Sequence, residues 1–184
     1  FFSIVGNVAP KTSLLIMAKL VFTPQKRELK PPHAALIKAS EKKIFPVGQL
    51  IKPHNKRNVK YYRWGSGEKT VFLIHGWDGM ALDFYKIIPE LVSEGYCVIA
   101  MDGPAHGGSE GETTNTIDFK YVMEQFFKKH GTPYAIIGHS MGGAASAFML
   151  MESEFRIPRL VMITAPIIAK NFFEGVFQLL SIPE

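Results

Sequence analysis

Residues 134–145 read Tyr-Ala-Ile-Ile-Gly-His-Ser-Met-Gly-Gly-Ala-Ala. The apolar run 134–137 predicts a buried strand, and residues 141–153 predict a helix. Between them the sequence completes a Gly-x-Ser-x-Gly pattern around Ser140, and a serine between a buried strand and a helix stands on a sharp, strained turn. The flanking glycines allow the strand and helix backbones to approach, because no Cβ atoms intervene. The segment therefore predicts that Ser140 is a nucleophile at the N-terminus of a helix.

The alternation of strand and helix continues on both sides of this segment. Predicted strands cover residues 44–51, 58–64, 70–74, 96–101, 134–137 and 160–164, and predicted helices cover 81–94, 116–129 and 141–153. The apolar runs from residue 70 onward lack polar alternation, which is typical of strands covered by helices on both faces. On the inner side of helix 116–129 we place Phe119, Val122, Met123, Phe126 and Phe127. The predicted fold class is α/β, with a mostly parallel sheet flanked by helices.

A second segment, His75-Gly76-Trp77, closes the predicted strand 70–74. A serine that transfers acyl groups needs two backbone N–H donors for the oxyanion of its tetrahedral intermediate. One donor belongs to the residue after the nucleophile, here Met141, and the other to the loop after the third strand, where Trp77 stands. The sequence therefore predicts an oxyanion hole formed by the N–H groups of Trp77 and Met141.

A third segment, residues 102–109, reads Asp-Gly-Pro-Ala-His-Gly-Gly-Ser after the fourth strand. It is similar to the Asp-x-Pro-Gly-x-Gly-x-Ser loop of the α/β-hydrolase superfamily, with Ala105 in place of a glycine. Together the three motifs make the chain resemble that superfamily, in particular its serine esterases, lipases and peptidases. The resemblance implies an α/β-hydrolase fold of which residues 43–165 supply the first six strands, so that the fold is incomplete at the C-terminus.

The resemblance also implies a catalytic acid and then a histidine after the serine. The 44 residues after Ser140 contain no histidine, so we expect the acid and the base beyond Glu184. A serine without a basic partner is a weak nucleophile. We therefore expect this 184-residue chain to be inactive by itself. We also expect strand 160–164 to form an uncovered apolar edge of the sheet.

The other histidines require separate interpretation. His139 occupies the variable position of the serine motif, where it lies beside the serine, and His75 matches a structural loop residue of the superfamily. His106 follows the fourth strand at the carboxyl edge of the sheet, where its side chain can face the mouth of the site. The remaining histidines, His33, His54 and His130, are interpreted as surface residues. No two histidines have the spacing of a zinc site, so we expect no metal and no other cofactor.

Residues 1–42 form a basic, partly apolar leader ahead of this core. Residues 1–63 carry 13 Lys and Arg against two acids, whereas residues 64–184 carry 8 against 14. The basic residues are dispersed and accompany no nucleic-acid motif, which argues against a nucleic-acid partner. The leader has too many charges for a membrane span. We keep two alternatives, in which the leader either contacts anionic membrane surfaces or packs on the domain.

The single cysteine, Cys97, lies in an apolar strand and indicates an inert, buried thiol. Nothing therefore requires an oxidising compartment, and we expect a cytoplasmic protein, free or membrane-associated. Apolar residues recur at helical spacing within 166–184, which is equally typical of the start of a lid and of an ordinary covering helix. The expected function is hydrolysis of a carboxylic ester, thioester or small amide through an acyl-serine intermediate. The alternative is a non-catalytic ligand-binding protein of the same fold.

Overall fold

The computed structural model describes residues 12, 16, 19–48 and 57–165. Residues 19–22 are helical, and the elements that follow are numbered from there. The helices are α1 (Pro31–Lys38), a 3₁₀ helix (Ala81–Phe84), α2 (Ile87–Ser93), α3 (Thr116–His130) and α4 (Met141–Glu152). The strands are β1 (Glu41–Val47), β2 (Arg57–Trp64), β3 (Thr70–Ile74), β4 (Cys97–Met101), β5 (Ala135–His139) and β6 (Arg159–Ile163).

The strands form one sheet in the order β1-β2-β4-β3-β5-β6. β1 pairs with β2, and β2 with β4, in antiparallel fashion, whereas β3, β4, β5 and β6 run parallel. Ile74 at the end of β3 lies opposite Met101 of β4 and Gly138 of β5. The loops after these three strands therefore start side by side at one edge of the sheet. The predicted fold class is confirmed.

β3 shows why a run without polar alternation predicted a strand buried on both faces. Phe72 and Ile74 belong to the apolar cluster under α3 and α4, whereas Val71 and Leu73 belong to the cluster under the 3₁₀ helix and α2. Successive side chains of a strand point to opposite faces. Both faces of residues 71–74 therefore contribute to the core, which leaves no position for a polar side chain among them.

Helix α3 lies as its sequence predicted. The five apolar side chains expected on its inner side, Phe119, Val122, Met123, Phe126 and Phe127, are all buried. The side chain of Asn115 accepts hydrogen bonds from the N–H groups of Ile117 and Asp118, which caps the N-terminus. The helix ends at Gly131, whose φ of 87° is unfavourable for other residues.

Helix α1, at the end of the leader, packs on the sheet. The indole Nε1 of Trp64 donates to the carbonyl oxygen of Leu36, at 2.9 Å, and the side chain of Leu36 is buried. His33 is also buried, so its interpretation as a surface residue is wrong: α1 turns it inward, toward the ring of Tyr85. In the described parts of the chain no helix is both long and apolar enough to cross a membrane.

Several element boundaries differ from those predicted. β1 begins at Glu41, which pairs with Arg63, so the strand starts two residues before the predicted boundary of the core. The predicted helix 81–94 is divided into the 3₁₀ helix and α2. At the far edge of the sheet, β6 is largely exposed, with Val161 at 48% exposure. Residues 166–184, interpreted as the start of a lid or as a covering helix, and the predicted surface residue His54 lie outside the described residues.

Candidate active site

Ser140 stands between the last residue of β5 and the first residue of α4, as predicted. Its φ of 48° and ψ of −120° lie in a region that residues with side chains rarely adopt. Such a conformation costs about 1–3 kcal/mol and persists only where the surroundings hold it. Here the Ser140 N–H donates to the carbonyl of Ile163, and its carbonyl accepts from Ala144 N–H. The serine is therefore fixed between a neighbouring strand and its own helix.

Glycines around Ser140 allow the close packing that this turn needs. A Cβ on Gly142 would lie 2.4 Å from the carbonyl oxygen of His75, and one on Gly138 would lie 2.6 Å from the Cα of Gly143. A Cβ on Gly76 would lie 2.8 Å from the Cβ of Ser140. Only glycine fits these three places without displacing backbone or the serine. The loop after β3, the turn at Ser140 and the start of α4 thus pack directly on one another.

The hydrogen bonds of the Gly76 carbonyl determine the direction of the Trp77 N–H, which belongs to the same peptide unit. This oxygen accepts from Gly79 N–H, at 3.1 Å, and from His75 Nδ1, at 2.7 Å. Because the peptide unit is planar and trans, the N–H of Trp77 points away from these two donors. Trp77 itself is half-buried, and its ring meets that of His106 edge to face. The orientation of the Trp77 N–H is therefore set by its neighbours rather than by its own side chain.

The other predicted donor, Met141, is the first residue of α4, and its side chain is buried. Intrahelical bonding begins at Ala144, which donates to the Ser140 carbonyl. The N–H groups that precede it belong to the first helical turn, where the helix dipole also favours negative charge. The convergence of the Trp77 and Met141 N–H groups on one oxyanion stays a prediction.

Two buried histidines link the loop after β3 to the loop after β4. His75 Nε2 accepts from Gly103 N–H, at 2.9 Å, and His106 Nε2 accepts from Asp78 N–H, at 3.1 Å. Each ring donates from Nδ1 to a nearby carbonyl, of Gly76 and Pro104 respectively. Burial lowers the pKa of both to about 4, so both are neutral at pH 7.

The expectation that the His106 side chain can face the mouth of the site is wrong. The residue is 1% exposed, and its ring packs against Phe119 and His75. The apolar surroundings and the Asp78 N–H draw it into the loop. His139, by contrast, is exposed and its Nδ1 lies beside Gly76. Among the histidines that the structure describes, His139 is thus the one next to Ser140 with an accessible side chain.

Asp102 organises the loop that resembled the superfamily motif. Its buried carboxylate accepts from Ala81 N–H, at 2.7 Å, and from Gly108 N–H, at 2.9 Å. Burial raises the pKa of this carboxyl above its ordinary value, although both N–H groups act to lower it. Ala105, where the motif has a glycine, has a φ of 63°, which explains why glycine suits this position. The loop is a support for the site, and its carboxylate faces backbone donors.

Sequence reasoning missed Asp78 as a residue of the site. Its φ is 54°, and it lies between Trp77 and Gly79 in a tight turn. The Asp-Gly pair was a signal for the turn. Its hydrogen-bond partners are remote in the sequence, however, and left no local signal.

The described residues include no group of three or more His, Cys, Asp or Glu side chains placed to hold a metal ion. Cys97 is buried, as predicted, but it has a polar neighbour that the sequence did not reveal, because Arg63 Nε donates to its Sγ at 3.2 Å. This pair lies on β2 and β4, within the sheet.

Comparisons with known proteins agree with the fold. Residues 69–180 match the family described as the alpha/beta hydrolase fold. The chain is 37% identical over 111 residues to the magnesium-chelatase 30 kDa subunit of Rhodobacter capsulatus, covering 58% of this chain and 37% of that protein. It is 26% identical over 126 residues to human monoglyceride lipase, covering 64% and 41%. The chain thus spans about two fifths of the length of these relatives.

Among solved structures, the chain resembles an esterase of Pyrococcus furiosus, with a TM-score of 0.63 and 23% identity. This likeness covers 89% of the present chain and 63% of the esterase. At this identity the likeness shows the fold alone. In this fold, the sequence motifs around Gly76 and Ser140 lie together at the carboxyl edge of the sheet.

Proposed function

Because the chain belongs to the alpha/beta hydrolase fold family, we propose that it is the serine-bearing part of a hydrolase that cleaves carboxylic esters, thioesters or small amides. The observation that carries the proposal is the backbone of Ser140, held at φ 48° between β5 and α4 with Gly76 against its Cβ. Strained conformations of this kind cluster at functional sites, where they aim a side chain.

In the proposed reaction, Ser140 Oγ attacks the carbonyl carbon while a base takes its proton. The carbonyl oxygen becomes an oxyanion, which the N–H groups of Trp77 and Met141 stabilise. The bond to the alcohol, thiol or amine breaks as the base returns the proton to the leaving group. Water then attacks the acyl-serine, and the carboxylic acid leaves. Each backbone donor of this kind is worth about 10²–10³ in turnover.

The base of this proposal is expected after residue 184. Residues 141–184 contain no histidine, and His75 and His106 use both ring nitrogens in backbone hydrogen bonds. The proposal therefore concerns the complete protein, in which the family's chain order places an acid and a histidine after the serine.

The alternative is a ligand-binding protein that uses the same site without catalysis. It is favoured by the likeness to a magnesium-chelatase subunit, because the name of that relative does not describe a hydrolase. Such a protein would keep the fold and the strained serine turn, but it would not form a covalent adduct.

One labelling experiment separates the two functions. The complete protein is treated with a fluorophosphonate, and the adduct is mapped by mass spectrometry. We expect a single adduct on Ser140 that disappears in Ser140→Ala and persists in Ser93→Ala, a control at an exposed serine of α2. Labelling at another residue, or labelling that survives Ser140→Ala, refutes the assignment. Absence of any labelling favours the ligand-binding alternative.

A further inference from the structure

Asp78 follows the predicted oxyanion donor Trp77 and has a φ of 54°. Aspartate tolerates this left-handed region better than most residues, but it still prefers φ below zero. The conformation closes the turn in which Gly79 N–H donates to the Gly76 carbonyl. That carbonyl shares a peptide unit with the Trp77 N–H. Whatever holds Asp78 therefore also holds the orientation of the Trp77 N–H.

The inner support of Asp78 comes from the loop after β4. Its N–H donates to His106 Nε2 at 3.1 Å, and His106 Nδ1 donates to the Pro104 carbonyl at 2.9 Å. The ring of His106 is buried between those of His75 and Phe119, with centroids 4.9 and 5.4 Å away. The acceptor of the Asp78 N–H is thus fixed by packing as well as by its own hydrogen bond.

The outer support comes from the leader. The backbone N–H of Gln25 donates to Asp78 Oδ1 at 2.7 Å. On one side of this bond, Thr114 N–H donates to the carbonyl of Phe22 at 2.9 Å. On the other, Arg27 forms an ion pair with Asp83 at 3.2 Å. Residues 22–27, which we call the strap, therefore cross the loop after β3 and are attached at both ends.

We propose that Asp78 is a positioning residue for the Trp77 N–H, and that the strap is its outer support and a part of the active-site rim. This inference rests on the proposed function. It assigns a role in hydrolysis to a leader segment that lies about 50 residues before the loop it supports. The leader thus acts on the site through a backbone donor, whatever the side chain at position 25.

The two partners of the Gln25–Asp78 hydrogen bond can be changed separately. Gln25→Pro removes the backbone donor, whereas Gln25→Ala keeps it and changes only the exposed side chain. Asp78→Gly removes the acceptor and adopts a positive φ without strain. Asp78→Asn keeps an acceptor oxygen and also tolerates a positive φ. Comparison of Gln25→Pro with Gln25→Ala, and of Asp78→Gly with Asp78→Asn, thus isolates the effect of the hydrogen bond.

The variants are made in the complete protein, and the hydrolysis of p-nitrophenyl butyrate is measured. We expect Gln25→Pro and Asp78→Gly to lower kcat roughly tenfold, a fraction of the loss of one donor, with KM changed less than about twofold. Gln25→Ala should stay near wild type, and Asp78→Asn should recover most of kcat. The double variant should lose little more than either single variant, because both act through one bond.

Hydrogen exchange supplies a readout that does not depend on activity. Peptides covering residues 75–80 should exchange faster in Gln25→Pro and Asp78→Gly than in their matched variants. Unchanged kcat in both loss variants, with normal fluorophosphonate labelling of Ser140, overturns this inference and leaves the proposed function standing. A wild-type protein that neither hydrolyses the ester nor labels at Ser140 overturns both. A fall in thermal stability with unchanged kcat indicates a merely structural bond and also overturns the inference.

Discussion

The side chain of Ser140 is what makes its backbone conformation unfavourable, since glycine alone populates φ 48° with ψ −120° freely. Ser140→Ala keeps the Cβ and hence the strain, whereas Ser140→Gly removes it. Relief of about 1–3 kcal/mol outweighs the roughly 0.5–1 kcal/mol that the flexibility of glycine costs. We expect Ser140→Gly to be more stable than Ser140→Ala by about 1 kcal/mol in urea unfolding.

The control for this comparison is Ser93, an exposed residue at the end of α2. At this helical position alanine should be more stable than glycine, by up to about 1 kcal/mol. The sign of the difference therefore reverses between the two serines. The same sign at both would show that Ser140 is not strained in solution.

The two buried histidines make stability depend on pH. The pKa of His75 and of His106 is about 4 in the folded chain, because burial disfavours the charged form, and about 6.5 in the unfolded chain. Between pH 6.5 and 4 the unfolded chain therefore binds more protons. The free energy of unfolding should fall as pH falls through this window, by up to about 1.4 kcal/mol per pH unit for each histidine.

Other groups around His106 modify this slope without reversing it. His75, Asp78 and Asp102 face it, and the raised pKa of Asp102 acts in the opposite direction, because the folded state then takes up a proton more readily. Urea unfolding at pH 7.5, 6 and 5 measures the slope. His106→Gln keeps an acceptor for the Asp78 N–H, but it should reduce the slope of the free energy of unfolding against pH. The exposed control His130→Gln should change that slope less. Equal slopes for His106→Gln and wild type would contradict this account.

Single residues also show the limits of sequence reasoning. The turn at Ser140 could be predicted, because its Gly-x-Ser-x-Gly pattern is local to one strand and one helix. The burial of His106 could not, because the rings that enclose it come from positions 75 and 119. Asp78 was missed for the same reason, since its partners are at positions 25 and 106.

At the scale of elements, helix α4 packs against the loop after β3 with backbone in contact with backbone. A Cβ on Gly142 would lie 2.4 Å from the carbonyl oxygen of His75 and 2.6 Å from that of Ile74. Gly142→Ala should therefore push α4 from the sheet. We expect a loss of about 3 kcal/mol, at the upper end for an overpacked site, measured by urea unfolding.

Gly131 at the end of α3 offers a contrasting control. A Cβ there would meet no atom within 4 Å, but φ is 87°. Gly131→Ala thus tests the cost of an unfavourable backbone conformation alone, which is about 1–3 kcal/mol. If Gly142→Ala cost no more than Gly131→Ala, close packing at Gly142 would not be what requires glycine there.

The division of the predicted helix 81–94 has a cause that was present in the sequence. Pro89 lacks an N–H, and its ring excludes a helical carbonyl four residues earlier, at Tyr85. It is tolerated in the first turn of α2, which begins at Ile87. The apolar periodicity of the segment obscured this signal, whereas the periodicity of α3, without proline, located its buried side correctly.

At the scale of the whole molecule, the proposed mechanism makes activity depend on a base that we expect after residue 184. Residues 1–184 alone should turn over p-nitrophenyl acetate and butyrate on the order of 10⁶ more slowly than the complete protein, because no histidine follows Ser140 among them. The two forms are assayed side by side, with sedimentation to establish that each is monomeric. A monomeric short form with a rate like that of the complete protein would contradict this expectation. His139, exposed beside Ser140, would then be the first residue to mutate.

The sequence predicted the class of the sheet, but it did not predict which strands are neighbours. Apolar runs indicated a covered, mostly parallel sheet, and the resemblance to a superfamily suggested its topology. Which strands are neighbours is a property of contacts between distant segments, such as β2 with β4. The exposed β6, by contrast, lies at the edge of the sheet formed by the described residues, as expected.

The position of β3 in this sheet has a consequence for synthesis on the ribosome. Both of its neighbours, β4 and β5, are translated after it. At 5–20 residues per second, about 3–13 seconds separate the end of β3 from the end of β5. During that interval the four apolar residues 71–74 have a free strand edge, which another nascent chain can pair with. The order of translation therefore leaves the pairing of β3 unfinished until residue 139 has been made.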